Sequence, residues 1–247
     1  MRGPYEPLRV FLLAAAAGAA LVALVWGAAA GASAQEVAGQ AVARRAQTGG
    51  LAPTGVPFPA NCRIPKSMLT AGSRAIGRPG RGRLVNGLPF PEESDFWFTW
   101  NFPEGFSPNP EWRRYGTEKL VLTLECVLTA YGTRHPELAR VGVADLSRTR
   151  GGSFGRKYGG LGHGSHQNGL DVDVLMPRKD LCECAPQSPD EVDSAHAQEL
   201  IDAFVAAGAQ YEFVSPVLYR RGLIRGPRNV VTPLRFHDDH IHVRIRP

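Results

Sequence analysis

Gly162-His163-Gly164-Ser165-His166-Gln167-Asn168-Gly169-Leu170-Asp171-Val172-Asp173-Val174 is a glycine-punctuated turn that runs into an alternation of apolar and acidic residues. Alternation with a period of two is the signature of a strand, and it puts Asp171 and Asp173 on one face. A second stretch answers it near the C-terminus: Phe236-His237-Asp238-Asp239-His240-Ile241-His242-Val243-Arg244-Ile245. His240 and His242 are two apart on a predicted strand, so their imidazoles project from the same face. Five of the seven histidines fall inside these two stretches. A structural role does not require such clustering, and the two stretches read as halves of one metal site.

The donor types point to zinc. His166 lies in the loop before the first strand and Asp173 lies within it, so an imidazole and a carboxylate seven residues apart can converge. Two imidazoles and one carboxylate fill three positions of a tetrahedral zinc site and leave the fourth for water, the mark of a catalytic site. The histidine of this set that is not a ligand is then free to carry a proton. Each residue alone has a plainer reading. Asp171 or Asp173 can be a solvated strand carboxylate, His163 or His237 can be an outer donor, and the glycines can be turn residues. The joint occurrence is far more specific than its parts.

Outward from these stretches, the chain of 247 residues opens with Arg2 and Arg9. An uncharged Ala/Leu/Val-rich run from Val10 to Ala34 follows, ending Ala32-Ser33-Ala34. That order predicts a secretory signal over 1–34, cleaved before Gln35. The competing reading is an uncleaved membrane anchor; either way the remainder is exported. Residues 35–60, rich in Ala, Gly, Gln, Pro and Thr, are expected to form a flexible tether. Residues 61–247 suit a single domain. The basic excess, 28 Lys and Arg against 23 Asp and Glu, is spread along the chain without a dense run. It gives no ground for nucleic-acid binding. Membrane association is expected only if the leader is retained, and nothing in the sequence fixes an oligomeric state.

Four cysteines, Cys62, Cys126, Cys182 and Cys184, in an exported protein predict disulfides rather than a four-thiolate zinc site. Two bridges are expected, with Cys182 and Cys184 each joined to a distant partner. Gly72 to Gly87, thick with Gly and Arg, reads as loops, and Phe96 to Trp100 as an aromatic strand. A helix is predicted from Thr117-Glu118, with Gly132 ending it. Val141 to Leu146 reads as a buried strand, followed by a Gly-rich loop from Arg148 to Gly162. A second helix is predicted from Ser188 as cap, with Glu191 completing a capping box, to Ala207, where Gly208 stops it. His196 on that helix reads as a surface or packing residue. Tyr211–Val214 and His240–Ile245 are the last strands. Strands and helices without regular alternation predict an α+β domain: a small, mostly antiparallel sheet flanked by helices and long loops, with the zinc site on the sheet.

Ser165-His166-Gln167, Gly169-Leu170-Asp171-Val172-Asp173 and His237-Asp238-Asp239-His240-Ile241-His242-Val243-Arg244 closely resemble the penicillin-insensitive murein endopeptidases, within the lysostaphin and D-alanyl-D-alanine metallopeptidase group. Arg114-Tyr115-Gly116, Asp145-Leu146-Ser147 and Gly151-Gly152 also look like that family. The resemblance implies zinc ligands at His166, Asp173 and His242, His240 as catalytic base, and His163 and His237 as accessory histidines near the metal. It implies a periplasmic hydrolase that cuts D-alanyl–meso-diaminopimelyl cross-links between peptidoglycan stem peptides. Two alternatives stand beside it: a D,D- or L,D-carboxypeptidase that trims stem peptides, and a non-catalytic zinc domain that binds peptidoglycan.

Overall fold

The computed structural model of the chain describes residues 57–158 and 163–247. The expected signal segment and nearly all of the expected tether lie outside the described residues. In chain order come strands β1 (Arg74–Arg78), β2 (Arg81–Val85), β3 (Leu88–Pro89), β4 (Trp97–Thr99) and β5 (Tyr115–Gly116), then helix α1 (Glu118–Arg134). Strands β6 (Val141–Val143) and β7 (Asp171–Leu175) precede helix α2 (Ser194–Ala207). Strand β8 (Ala209–Val214), the short helix α3 (Pro216–Arg220), β9 (Val231–Pro233) and β10 (His240–Ile245) complete the fold.

The central sheet has six strands in the order β4-β6-β7-β10-β8-β9. Its three inner contacts, β6 with β7, β7 with β10 and β10 with β8, are antiparallel. The outer strands β4 and β9 each join in parallel. The α+β expectation therefore holds in outline, with a mixed rather than uniformly antiparallel sheet. Alternation then sorts the side chains of the inner strands. Val172, Val174, Ile241, Val243 and Ile245 are buried in one cluster with Leu120, Leu124 and Leu128 of α1 and Leu200, Ile201 and Phe204 of α2. The intervening residues, Asp171, Asp173, His240, His242 and Arg244, turn to the opposite face. Burying five branched side chains on the helical face contributes about 1.5–3 kcal/mol each before entropy is counted, so the register that displays the polar set is fixed by the apolar one.

Four expectations need correction. The Gly72–Gly87 segment is a β-hairpin, with Arg74 opposite Val85 and Arg78 opposite Arg81; its Arg- and Gly-rich sequence lacks the apolar alternation that announces a strand. Gly132 does not end α1, which runs to Arg134. A Cβ at Gly132 would lie 2.6 Å from Phe96 Cδ1, so the glycine admits an aromatic ring against the helix. Ser188 does not cap α2 either. Glu191, instead of folding back on Ser188, is bonded by Arg178 and by the Gln187 backbone N–H. A 3-10 turn at Pro189–Glu191 breaks off, and α2 begins at Ser194 with Asp193 accepting from the His196 backbone N–H. Gly208, at φ 92°, ends that helix as expected.

The fourth correction is the disulfide pairing. Both bridges exist, but they join Cys62 to Cys126 and Cys182 to Cys184. The Cys182 and Cys184 Cα atoms, one residue between them, lie 5.3 Å apart, and Asp180 accepts from the Cys182 backbone N–H at the start of this loop. That separation lies within bridging range. Cys62 meanwhile ties the start of the described chain to α1. Among the described residues no helix is long and apolar enough to cross a membrane.

Candidate metal centre and active-site groove

The pairing of β7 with β10 builds the centre. His242 stands opposite Asp173, Arg244 opposite Asp171 and His240 opposite Leu175. Directly opposed residues of an antiparallel pair share a face, so two acids, two histidines and an arginine gather on the side away from the helices. His166 reaches this face from the preceding loop in a left-handed conformation, φ 62°, that L-residues seldom hold. Such a backbone persists only where its surroundings over-determine it, and it clusters at functional sites. Gly169, also at positive φ, is required one turn later because a Cβ there would lie 2.7 Å from Leu84 Cδ1 and 3.1 Å from the Thr117 nitrogen.

Three donor atoms converge. His166 Nε2 lies 3.0 Å from His242 Nδ1 and 3.3 Å from Asp173 Oδ1, and His242 Nδ1 lies 2.9 Å from Asp173 Oδ1. Donors about 2.0–2.1 Å from a tetrahedral zinc stand ~3.3 Å from one another, so the donor set fits such an ion. The outward nitrogens are committed elsewhere. His166 Nδ1–H donates to the Leu146 carbonyl at 2.7 Å, and His242 Nε2–H to Asp171 at 3.2 Å. Orienting bonds of this kind fix the tautomer and the ring angle of a metal-ligating histidine. Asp171 is itself held by Arg244, at 2.8 and 3.0 Å, and by the Tyr211 hydroxyl at 3.3 Å.

The remaining histidines surround this trio. His163, His166 and Asp173 each bring one donor atom within 4.8 Å of the others, so His163 is also within reach of a shared ion. In this arrangement His163 Nε2 meets Asp145 at 2.7 Å, and Asp145 also accepts two bonds from Arg113, at 2.6 and 2.5 Å. His240 Nδ1 lies 2.6 Å from Asp239, and its Nε2 is 3.6 Å from Asp173 Oδ1. His237 donates to the Arg235 carbonyl and packs 4.8 Å from the His240 ring. All six histidine and aspartate positions singled out from the sequence, His163, His166, Asp173, His237, His240 and His242, line one groove of about 1320 Å³. Tyr211 and Phe213 form part of its apolar wall.

Electrostatics follow from burial. Desolvation works against charge on both His166 and Asp173, yet each stabilises the other. Asp173, helped by Asp171 and Asp145, pushes the His166 imidazole up to about 9. His166 and His240 hold the Asp173 carboxyl well below its ordinary range despite its burial. Burial likewise opposes charge on His240, and Asp173 and Asp239 overcome it, raising that imidazole. His237 goes the other way, lowered to about 4 by burial and by His240 beside it.

Sequence reading missed the supporting layer. Asp171 and Arg244 continue the same-face alternation of Asp173 and His242, so a signal for them was present. Asp239 adjoins His240. Arg113 and Asp145 are brought together across 32 residues by folding, and no local pattern announces them. His196, read as a surface or packing residue, is partly buried against His135 at a ring separation of 5.0 Å and pairs with Asp193.

A family model, penicillin-insensitive murein endopeptidase, matches residues 75–214. A comparison with curated proteins finds no match. The matched region contains His166 and Asp173 and ends before β10, whose register on β7 brings His240 and His242 to them. With more than half of the chain matched, the protein belongs to the penicillin-insensitive murein endopeptidase family, peptidases that act on peptidoglycan.

Proposed function

We propose that the protein is a zinc-dependent D,D-endopeptidase of the periplasm that hydrolyses D-alanyl–meso-diaminopimelyl cross-links between peptidoglycan stem peptides. His166, Asp173 and His242 are the ligands in this reading, His240 is the catalytic base, and His163 and His237 are accessory. One observation carries it: Asp173 is 1% exposed, and among the described residues no lysine or arginine pairs with it. The two neighbouring buried carboxylates each have a fixed cation, Arg113 for Asp145 and Arg244 for Asp171. Without a metal the Asp173 carboxylate is balanced only by protonated imidazoles, and the same carboxylate and imidazoles are the donor types that share a zinc ion.

When bound, zinc supplies a Lewis acid for the scissile carbonyl and acidifies water to a pKa of about 7. The residues of the chain do the rest. Asp239 accepts from His240 Nδ1–H, which leaves Nε2, on the side of Asp173, as the proton acceptor. His240 takes the proton of the attacking water and returns it to the departing amine as general acid. Asp239, bonded at Nδ1–H, favours the charged imidazole that the second role needs, and charged His240 also supports the developing oxyanion.

The test is chromatography with mass spectrometry of cross-linked, diaminopimelate-type muropeptides incubated with the protein. Dimers should become monomers, a conversion stopped by a zinc chelator and restored by zinc. Release of single terminal residues from uncross-linked stems would replace the endopeptidase reading with a carboxypeptidase. Intact substrate beside demonstrably bound zinc would favour a binding domain.

A further inference from the structure

We propose that the turn of the β1–β2 hairpin, with Arg78 and Arg81 at its mouth and Arg235 lining the same groove, is a carboxylate subsite. It selects cross-linked stem peptides that carry a free carboxylate next to the cleaved amide. This deepens the peptidase reading and rests on it for the identity of the substrate.

The first ground is the register. Arg78 stands directly opposite Arg81, closing the Pro79-Gly80 turn. Like charges placed opposite one another on an antiparallel pair are destabilising. Both arginines are exposed, and among the described residues neither has a carboxylate partner, nor does Arg235. Three guanidinium groups thus border the groove without an anion of their own. The acids that line the same groove, Asp173 and Asp239, are already engaged by His166, His240 and His242.

The second ground is that the turn is fastened to the loop that presents His166. The Pro79 carbonyl accepts from the Gln167 backbone N–H at 3.0 Å, and Asn168 Nδ2 donates to the Gly77 carbonyl at 3.3 Å. A Cβ at Gly80 would lie 2.5 Å from the Gly164 oxygen, so backbone meets backbone with no side chain between. The backbone that carries the arginines is therefore fastened beside the loop of His166. Guanidinium groups match carboxylates with two parallel N–H donors, which adds geometric selection to charge. Diaminopimelate keeps a free carboxyl group when its amine is acylated, so a cross-linked stem carries an anion close to the scissile bond.

The experiment compares cross-linked muropeptides having free diaminopimelate carboxylates with the same compounds amidated at that position. Turnover and equilibrium binding are both measured, for the wild-type chain and for Arg78→Gln, Arg81→Gln and the double variant. On the carboxylate substrate the double variant should raise KM by ~10-fold or more, the loss of a charge-assisted bond, with kcat nearly kept. On the amidated substrate the wild type should already be weakened, and the substitutions should add little. An equal loss on both substrates, or no loss on either, would overturn the subsite. Wild-type cleavage of both substrates with equal efficiency would overturn the subsite and leave the peptidase reading standing. Carboxylate-dependent binding without any cleavage would do the reverse.

Discussion

Removing Asp171 tests whether the outer layer of the centre orients the metal ligands or merely completes a core. The carboxylate is fully buried and accepts from Arg244, Tyr211 and His242. Arg244 is 4% exposed, so Asp171→Ala strands a buried guanidinium. Breaking one side of a buried pair costs about 3–5 kcal/mol. It also frees His242 Nε2 from its acceptor, and loss of such a partner lowers metal affinity by roughly 10–100-fold. The two effects separate in the double variant Asp171→Leu/Arg244→Met, which removes both charges and replaces them with apolar volume. Urea unfolding with chelator present should show Asp171→Ala several kcal/mol below wild type and the double variant close to it. Competition with a chromogenic chelator should show both variants equally impaired in zinc binding. A double variant that regains stability and also binds zinc as tightly as wild type would refute an orienting role for Asp171.

The other outcomes are expected as follows. His240→Ala should retain zinc and lose turnover, whereas His242→Ala should lose both; metal analysis beside the muropeptide assay decides it, and equal zinc loss in the two would reverse the roles. Glu212 is fully buried on β8 with neither carboxylate oxygen bonded among the described residues, and burial, with Asp202 adding, holds its pKa well above the usual value. A raised folded pKa means stability is lost as pH climbs from about 4.5 through the folded value, so Glu212→Gln should gain about 1–3 kcal/mol at pH 8. A variant with an unchanged slope of stability against pH would contradict this. In zinc-free protein His166 rises from 6.5 to about 9. The stability it contributes, roughly 3 kcal/mol at 1.36 kcal/mol per unit, is present below 6.5 and disappears by about 9. Zinc-loaded protein should lack that loss, and parallel urea midpoints against pH, with chelator and with zinc, would show the reasoning wrong.

How much of this was legible before folding depended on the range of the interaction. The alternations in Leu170–Leu175 and His240–Ile245 are local, and they indicated both site strands and the faces their side chains share. Thr117 and Gly208 are likewise local signals and marked helix ends correctly. The misreadings arose where a distant group outbid the local one. Glu191 had the spacing of a capping box but was claimed by Arg178; Gly132 resembled a stop but serves Phe96. The β1–β2 hairpin was hidden because both its faces are partly solvated, so no apolar stripe marks it. Cys182 and Cys184 were each expected to find a distant partner, and no local sequence signal announced that they bridge one another.

The placement of ligands on strands and of arginines on a pinned turn has a consequence for how the site can change. Asp173 and His242 sit in the middle of the sheet, where a register slip would expose Val172, Ile241 and Val243 along with them. In the proposed reading, metal binding is therefore tied to the stability of the domain. The hairpin carries little of the core; Leu84 is its one fully buried side chain. Arg78 and Arg81 can change without unfolding the sheet, while bonds from the Gln167 backbone and the Asn168 side chain keep the turn beside His166. If both proposals hold, substrate choice and hydrolytic chemistry rest on separate structural supports, so substitutions at Arg78 and Arg81 should move KM and those at Asp173 or His242 should remove metal, turnover and stability together.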